Sequence, residues 1–301
     1  MILVTGGTGA MGSVLVRELA KRNQRVRAVC LPHDPCVSRI KDCAADLRYA
    51  DVSDAKDCAG ICDGVTAVYH LAAIIISRDE SAFARINVEG TRNVLEQAVK
   101  AGVGHFVYIS SASVLYPHPT PYSLSKRVCE DLVAKSGLPY TIIRPTLVYG
   151  ERGGQEFDMY LDYLGKFPVV PFIGNGACLK RPVYVEDVMH GLLALWDNKA
   201  SAGKTYNFSG GEALSMKDFS RLCLKCLGME NKPILHLPVW LCMFFARLMG
   251  LAMMDPPLKW QVIAGITQDA NLDPAEAMRD LGYSPKKVSE WLPKMFPRKQ
   301  G

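Results

Sequence analysis

The sequence predicts an α/β protein in which a doubly wound parallel sheet is followed by a smaller, mostly helical C-terminal lobe. Short β-rich runs alternate with helical stretches through the first half of the chain, which is typical of a sheet with helices on both faces. A glycine-rich segment directly follows the first β-rich run. After Gly150 the alternation fades, and glycine- and proline-rich connections separate the remaining helices. Together these observations predict a Rossmann fold with a C-terminal substrate lobe.

The predicted elements follow one another at the spacing of βα units. Strands are expected at residues 2–4, 25–30, 47–49, 67–71, 105–110 and 140–143. Helices are expected near residues 11–22, 54–61, 80–101, 122–136, 156–165, 185–197 and 214–228. We expect residues 1–150 to form the Rossmann domain, which regains about residues 181–210, and residues 151–301 to form the substrate-binding lobe.

Composition excludes several classes of protein. The 301 residues carry a mild net charge of +5, with no Lys/Arg run of the kind that follows a nucleic-acid backbone. No secretory segment opens the sequence, and the ten cysteines are scattered, so we expect reduced thiols and a cytoplasmic location. Cys223 and Cys226 have the spacing of metal ligands, but no second pair or histidine cluster accompanies them, so no metal site is predicted.

The glycine-rich segment lies between the first strand and the first helix. Gly6 permits a tight turn, Gly9 lets the backbone approach a pyrophosphate, and Gly12 lets the helix pack closely on the strand. Ala10 and Met11 lie between these glycines, at the start of the helix. Since unpaired N–H groups at a helix N-terminus favour anions, the segment predicts a site for a dinucleotide, NAD or NADP.

The end of the second strand leaves the choice between these cofactors open. An acidic residue there usually binds the ribose 2′-hydroxyl of NAD, and a nearby arginine accommodates the 2′-phosphate of NADP. The residue at this place is Cys30. Asp34 or His33 could reach the ribose from the following loop, and Arg22 or Arg39 could meet a phosphate.

Tyr122 and Lys126 are four residues apart on a predicted helix and therefore share one face. An ammonium beside a phenol favours the phenolate, which predicts a lowered Tyr122 pKa and a group able to exchange protons. The pair follows the fifth predicted strand, which ends at Ser110 and Ser111, and the carboxyl ends of such strands border the cofactor crevice. A serine hydroxyl there can hydrogen-bond a substrate carbonyl or carbinol oxygen.

These features resemble the extended short-chain dehydrogenase/reductases, the NAD(P)-dependent epimerase/dehydratase family, over nearly the whole chain. The matching stretches are 5–12, 51–52, 70–73, 87–91, 110–111, 122–126, 144–145, 148–150, 181–187 and 275–285. The resemblance implies an enzyme with Tyr122 as general acid/base, Ser111 as the polarising hydroxyl, and Lys126 as the residue that also holds the nicotinamide ribose. It further implies cofactor contacts from Asp51, Val52, Leu71, Ala72, Ala73, Ser110, Tyr122 and Pro145.

Departures from the family pattern narrow the predicted substrate. Nucleotide-sugar epimerases usually carry the active hydroxyl where Ala112 stands, whereas Ser111 matches 3β-hydroxysteroid dehydrogenases and dihydroflavonol reductases. Sugar dehydratases carry an Asp-Glu pair where Ser113 and Val114 stand, and epimerases tend to carry a phosphate-binding Asn at Leu147. We therefore expect hydride transfer with a fairly apolar secondary alcohol or ketone. A nucleotide-sugar epimerase and a non-catalytic NAD(P)-binding subunit are the alternatives.

The segment 235–254 is apolar over nearly the length of a membrane span, but Pro238 and Arg247 interrupt it. We expect a buried helix that walls the substrate pocket, and contact with a membrane surface is the alternative. Basic residues near the C-terminus, at 286, 287, 294, 298 and 299, suit that alternative. Helices near 80–101 and 122–136 often form a dimer interface in the resembling family, which makes a homodimer a further expectation.

Overall fold

The computed structural model describes residues 1–43, 46–151, 154–196, 198–253 and 260–296. Its strands are β1 (Ile2–Thr5), β2 (Val26–Cys30), β3 (Asp46–Tyr49), β4 (Ala67–His70), β5 (His105–Ile109), β6 (Tyr140–Pro145), β7 (Val148–Tyr149), β8 (Val170–Ile173), β9 (Leu179–Lys180), β10 (Val183–Tyr184), β11 (Lys204–Phe208), β12 (Leu214–Ser215) and β13 (Ile234–Leu237). Its α-helices are α1 (Ala10–Lys21), α2 (Gly90–Lys100), α3 (Pro121–Ala134), α4 (Gln155–Lys166), α5 (Val185–Ala194), α6 (Met216–Cys226), α7 (Val239–Ala252), α8 (Trp260–Thr267), α9 (Ala275–Leu281) and α10 (Val288–Met295).

A seven-stranded parallel sheet with the order β3-β2-β1-β4-β5-β6-β11 forms the centre of the molecule. Alternate residues of each strand face opposite layers: Ile2 and Val4 pack with α1 and α5, whereas Leu3 packs with α2 and α3. The strand order reverses between β1 and β4, which opens a crevice at their carboxyl ends. The predicted fold class is confirmed.

One predicted helix is wrong. Residues 54–61 form successive turns rather than a helix. Gly60 adopts a φ of +72°, which a helix does not permit, and the Asp54 side chain accepts a hydrogen bond from the Lys56 backbone N–H. Local capping and a left-handed glycine thus outweigh the helical pattern there.

The C-terminal part consists of short strand pairs and helices around a separate apolar cluster that includes Phe157 and Phe219. Part of this region returns to the sheet. β11 pairs with β6, α5 packs on α1, and Tyr283 stacks on Phe208 with ring centroids 4.7 Å apart. The predicted domain boundaries stay a prediction, although the pairing of β11 lies within the segment expected to rejoin the sheet.

The expectation of a buried helix at 235–254 is wrong. Pro238 divides the segment into β13 and α7, and Met254 lies outside the described residues. Only Cys242 and Ala246 of α7 are buried. Most of the larger side chains are exposed, so burial explains only part of the apolar composition. In the described part of the chain, no helix has both the length and the hydropathy needed to cross a bilayer.

Candidate active site

The glycine-rich segment forms the turn between β1 and α1. Gly6 has a φ of +65°, and a Cβ on it would lie 2.9 Å from the backbone nitrogen of Ala72. A Cβ on Gly12 would lie 2.0 Å from the Gly6 carbonyl oxygen. Glycine is therefore required at both positions. The N-cap of α1 is Gly9, which has no capping side chain, so the first N–H groups of α1, at Ala10 and Met11, face the crevice without a side-chain acceptor.

A chain of hydrogen bonds links this turn to the far side of the crevice. Buried His70 lies 2.7 Å from the Thr5 hydroxyl through Nδ1 and 3.0 Å from the Thr91 hydroxyl through Nε2. The Thr91 hydroxyl donates to the Asn87 carbonyl, and the Thr5 hydroxyl accepts from the Ala72 N–H. These partners require a neutral ring that accepts at Nδ1 and donates at Nε2. Burial lowers the pKa of His70 to about 3, which keeps the ring neutral.

Asn87 joins the loop after β4 to the helix that carries the predicted catalytic pair. Its amide accepts from the Ile74 N–H and donates to the Ile74 carbonyl and to the Ser125 hydroxyl, at 2.8, 3.1 and 3.0 Å. Ser125 in turn donates to the Tyr122 carbonyl at 2.7 Å. Asn87 belongs to a π-helix, Phe83–Glu89, a geometry often found at functional sites. Sequence reasoning matched Asn87 and His70 to a family but gave them no role.

Tyr122 and Ser111 lie together at the carboxyl edge of the sheet. Thr120 caps α3 one residue before Pro121, which places Tyr122 in the first helical turn. The Ser111 side chain lies near the Tyr122 phenol, and its hydroxyl lies 2.9 Å from that of Ser113. Burial raises the pKa of Tyr122, as does the charge of Glu156, whereas the nearby Ser111 side chain lowers it. The expected lowering of the Tyr122 pKa is not found in this arrangement.

The reason lies in the position of Lys126, which is 2% exposed. Its ammonium donates to the Ile109 carbonyl oxygen at 2.6 Å and lies 4.3 Å from the centroid of the Tyr108 ring. It therefore points into the sheet edge beneath the crevice rather than at the phenol. Burial lowers the pKa of Lys126 to about 8, while the nearby Glu130 carboxylate raises it.

An acidic and a basic side chain lie close to the glycine turn, so the choice between NAD and NADP stays open. The carboxylate of Asp34 accepts from the Thr8 hydroxyl at 2.5 Å, and the guanidinium of Arg39 donates to the Thr8 carbonyl at 3.1 Å. Cys30 is buried, and its thiol donates towards the Arg48 carbonyl at 3.8 Å. Asp34 and Arg39 thus lie beside the glycine turn, where they can reach the ribose of either dinucleotide.

The remaining predicted cofactor contacts lie at or just after the carboxyl ends of strands of the central sheet. Val52 is buried, whereas the Asp51 carboxylate accepts from the Ser53 N–H and hydroxyl. Pro145 is buried at the end of β6. Leu71, Ala72 and Ala73 are half-buried and follow β4 beside the Gly6 turn.

These residues fit a dinucleotide on two observations. The buried hydroxyl of Ser110 has no hydrogen-bond partner within the described residues, although it lies next to Ser111 at the crevice. A buried polar group without a partner is uncommon, and this hydroxyl is free to hydrogen-bond a bound dinucleotide. The glycine turn also keeps open the space that side chains would fill.

The sequence profile of the NAD dependent epimerase/dehydratase family matches residues 2–209. The chain belongs to this family. The resemblance seen in the sequence is confirmed, and with it an NAD(P)-dependent enzyme of the extended short-chain type.

Two relatives of this family member act on sterol-type molecules according to their names. The enzyme is 28% identical to the 3 beta-hydroxysteroid dehydrogenase/Delta 5-->4-isomerase of Mycobacterium tuberculosis, over 94% of its own chain and 86% of that protein. It is 27% identical to the sterol-4-alpha-carboxylate 3-dehydrogenase, decarboxylating, of Mus musculus, over 83% of its own chain and 75% of that protein. The main prediction of an NAD(P)-dependent oxidoreductase is thus confirmed at the level of the reaction class.

A solved dTDP-glucose 4,6-dehydratase from Streptomyces venezuelae, which contains NAD, superposes with a TM-score of 0.78. It is 24% identical, and the match covers 100% of this chain and 97% of that one. At this identity the similarity establishes the fold, which agrees with the sheet order described above.

Proposed function

We propose that this enzyme catalyses reversible hydride transfer with a fairly apolar secondary alcohol or ketone. The observation that supports the proposal most is the proximity of Ser111 and Tyr122 at the carboxyl edge of the sheet, where the Ser111 side chain lowers the pKa of the phenol. A substrate oxygen that meets both hydroxyls accepts one hydrogen bond from each, as a ketone oxygen on its way to an alkoxide requires. The dinucleotide, when bound, supplies or accepts the hydride.

In this proposal Tyr122 moves the proton. During ketone reduction its O–H bond breaks, the proton passes to the substrate oxygen, and the phenolate later regains a proton from water. Because the pKa of Tyr122 is raised, the phenol is protonated at neutral pH and ready to donate. Lys126 lies four residues further along the same helix, and its ammonium, which donates to the Ile109 carbonyl, supplies positive charge to this part of the crevice once the phenolate forms.

Two features support an apolar substrate. Leu147, at the place where a phosphate-binding asparagine was expected for an epimerase, packs against an apolar cluster of the C-terminal region. The hydroxyl and the backbone N–H of Ser113 both hydrogen-bond the Ser111 hydroxyl. Ser113 therefore helps to position Ser111, and it offers no carboxylic acid for dehydration. The names of the relatives point to the same substrate class.

The proposal is tested by offering the purified enzyme NADH or NADPH with a panel of secondary ketones and following the nicotinamide absorbance. Net consumption of the reduced dinucleotide, with the matching alcohol identified by mass spectrometry, is the expected result. Interconversion of a UDP-sugar at constant dinucleotide would identify an epimerase instead. Dinucleotide binding without any turnover would favour the non-catalytic subunit.

The partner and location predictions stay proposals. Exposed Val99, Leu124 and Val128 on α2 and α3 support a homodimer through these helices, which analytical ultracentrifugation tests. The exposed side chains of α7 support contact with a membrane surface. Ten free cysteines suit the reducing cytoplasm, which fractionation of the source cells tests.

A further inference from the structure

An apolar cavity of about 580 Å³ lies in the C-terminal region, between α4, the β8–β13 pair, the first turn of α7 and the end of α8. Its walls include Tyr160, Tyr163, Phe172, Leu237, Val239 and Ile266. The volume falls within the range of roughly 300–1,000 Å³ that is usual for small-molecule sites. None of these side chains belongs to the predicted catalytic group.

The tyrosines of this wall present ring surface rather than polar groups. The Tyr160 hydroxyl is 2.6 Å from the Ser220 hydroxyl, and the Tyr163 hydroxyl donates to the Pro171 carbonyl. Both phenol groups are therefore satisfied by the protein. A ligand in the cavity meets a wall suited to hydrocarbon, apart from the side chains of Asn175, His236 and Thr267.

Helix α4 runs from the active site to the cavity. Glu156, in its first turn, interacts electrostatically with Tyr122. Tyr160 and Tyr163 follow four and seven residues later and therefore lie on the same side of the helix. At 1.5 Å per residue, the path along α4 from Glu156 to Tyr163 is about 10 Å long.

A second connection joins the cavity to the segment that precedes Tyr122. Ile266 and Thr267 line the cavity, and the next residue, Gln268, binds the backbone of His118. Its amide oxygen accepts from the His118 N–H at 2.6 Å, and its amide nitrogen donates to the His118 carbonyl at 3.0 Å. The cavity therefore has a fixed position relative to the catalytic hydroxyls.

At its other end the cavity reaches α7, which is packed with its small residues inward. Cys242 and Ala246 face the body of the protein, while Trp240, Phe244 and Leu251 are 71%, 59% and 89% exposed. Soluble helices normally bury the large apolar residues and expose the small or polar ones. Pro238 and Val239, at the start of α7, line the cavity.

The residues exposed on α7 suit contact with a lipid bilayer. Arg247 is the single charged residue in the described stretches 233–253 and 260–267, which include all of α7 and α8. Tryptophan, phenylalanine and leucine around one arginine match the boundary of a bilayer, where rings insert among acyl chains and a guanidinium reaches anionic headgroups. A protein partner, including a second copy of the chain, is the competing occupant, and the vesicle experiment below separates the two.

We propose that the cavity binds a long hydrocarbon chain of the substrate, and that the chain enters from a lipid bilayer on which α7 rests. The proposal rests on the proposed function, since it states that the ketone or alcohol of that reaction is a lipid. The reacting oxygen lies at Tyr122 and Ser111, and the chain extends along α4 towards α7.

The cavity is tested with a homologous series of 2-alkanones of increasing chain length, as substrates of the enzyme with its reduced dinucleotide. The value of kcat/KM should rise about fourfold for each added methylene that becomes buried, until the cavity is full. Ile266→Trp, which fills the cavity, should abolish this rise but leave turnover of the shortest ketone. Val262→Trp, on the exposed side of the same helix, should retain the rise.

The bilayer is tested by cosedimentation of the full chain with vesicles of phosphatidylcholine and phosphatidylglycerol. Phe244→Glu should weaken vesicle binding by about tenfold or more, whereas Met278→Glu, at an equally exposed apolar residue of α9, should not. Absence of wild-type binding would overturn the proposal. So would self-association in solution that Phe244→Glu abolishes, because a second copy would then cover α7.

The ketone series distinguishes an error in the hydrocarbon site from an error in the proposed reaction. A flat dependence of kcat/KM on chain length, with ketones still reduced, contradicts the hydrocarbon site alone. Absence of turnover for every ketone contradicts the proposed function.

Discussion

Helices α3 and α7 have the same length, but α3 buries polar side chains and α7 exposes large apolar ones. The inner face of α3 carries Ser125, Lys126 and Glu130, each buried and each hydrogen-bonded. The inner face of α7 carries Cys242 and Ala246, and most of its large apolar side chains are exposed. The polar groups of α3 are held by specific partners, whereas α7 packs on the protein through the apolar side chains of Cys242, Ala246 and half-buried Met243.

The difference shows where each helix can act. Buried polar groups are costly unless they are paired, so their presence inside α3 indicates a function that needs fixed donors and acceptors at the crevice. Exposed aromatic and leucine side chains are costly in water, so their presence outside α7 indicates a function that needs an apolar environment beyond the protein. Four substitutions test this contrast, from the largest expected effect to the smallest.

Lys126→Met should lower kcat for ketone reduction by about a hundredfold or more, since the phenolate formed on Tyr122 loses its nearby positive charge. The matched control is Lys135→Met, at the exposed end of the same helix, which should keep wild-type kcat. Steady-state kinetics measures both. Equal kcat values for the two variants would show that the inner face of α3 has no special role.

Asn87→Leu should lower the free energy of unfolding by about 2–4 kcal/mol, because the Ile74 backbone groups and the Ser125 hydroxyl lose their partner. Since Asn87 acts by positioning α3, we also expect kcat to fall more than KM rises. Urea denaturation and steady-state kinetics measure the two effects. A loss of stability at wild-type kcat would confine Asn87 to a structural role.

The pH dependence of ketone reduction should report Lys126. With a pKa of about 8, the ammonium is charged at neutral pH and loses its charge above pH 8, so kcat/KM should fall there. The charge of Glu130 raises the pKa of Lys126, and Glu130→Gln should therefore move this fall to lower pH. A shift to higher pH, or a profile that Glu130→Gln leaves in place, would contradict the assigned electrostatics.

Phe244→Ala should change the free energy of unfolding by less than about 0.5 kcal/mol in the absence of lipid, since most of the ring is exposed in the folded protein. Ala246→Ser, on the inner face of α7, should destabilise more, because it buries a hydroxyl among apolar neighbours. Denaturant titration of both variants checks the order. The reverse order would place the packed face of α7 on the other side.

The sequence predicts those parts of the site that depend on local geometry. The turn at Gly6 and Gly12 requires glycine for steric reasons within a few residues, and Tyr122 and Lys126 share a face because helices repeat after four residues. The direction of the Lys126 ammonium was not predictable, because its acceptor, the Ile109 carbonyl, lies in another element.

Long-range contacts explain most of what the sequence did not show. His70 bonds to Thr5 across 65 residues, and Asn87 bonds to Ser125 across 38, so no local pattern indicates either pair. The signal available in the sequence was a polar His70 inside the apolar strand 67–71, and nothing comparable marked Asn87. For α7, an apolar composition predicted burial, but composition does not tell whether protein or lipid provides the apolar surroundings.

The proposed reaction depends most directly on the Tyr122 hydroxyl, and Tyr122→Phe removes that group alone. We expect the variant to bind the dinucleotide with a dissociation constant within about twofold of wild type and to reduce ketones at least about a hundredfold more slowly. Tyr140→Phe, at the opposite end of the sheet, should match wild type in both measurements. Single-turnover reduction by Tyr122→Phe at the wild-type rate would contradict the account.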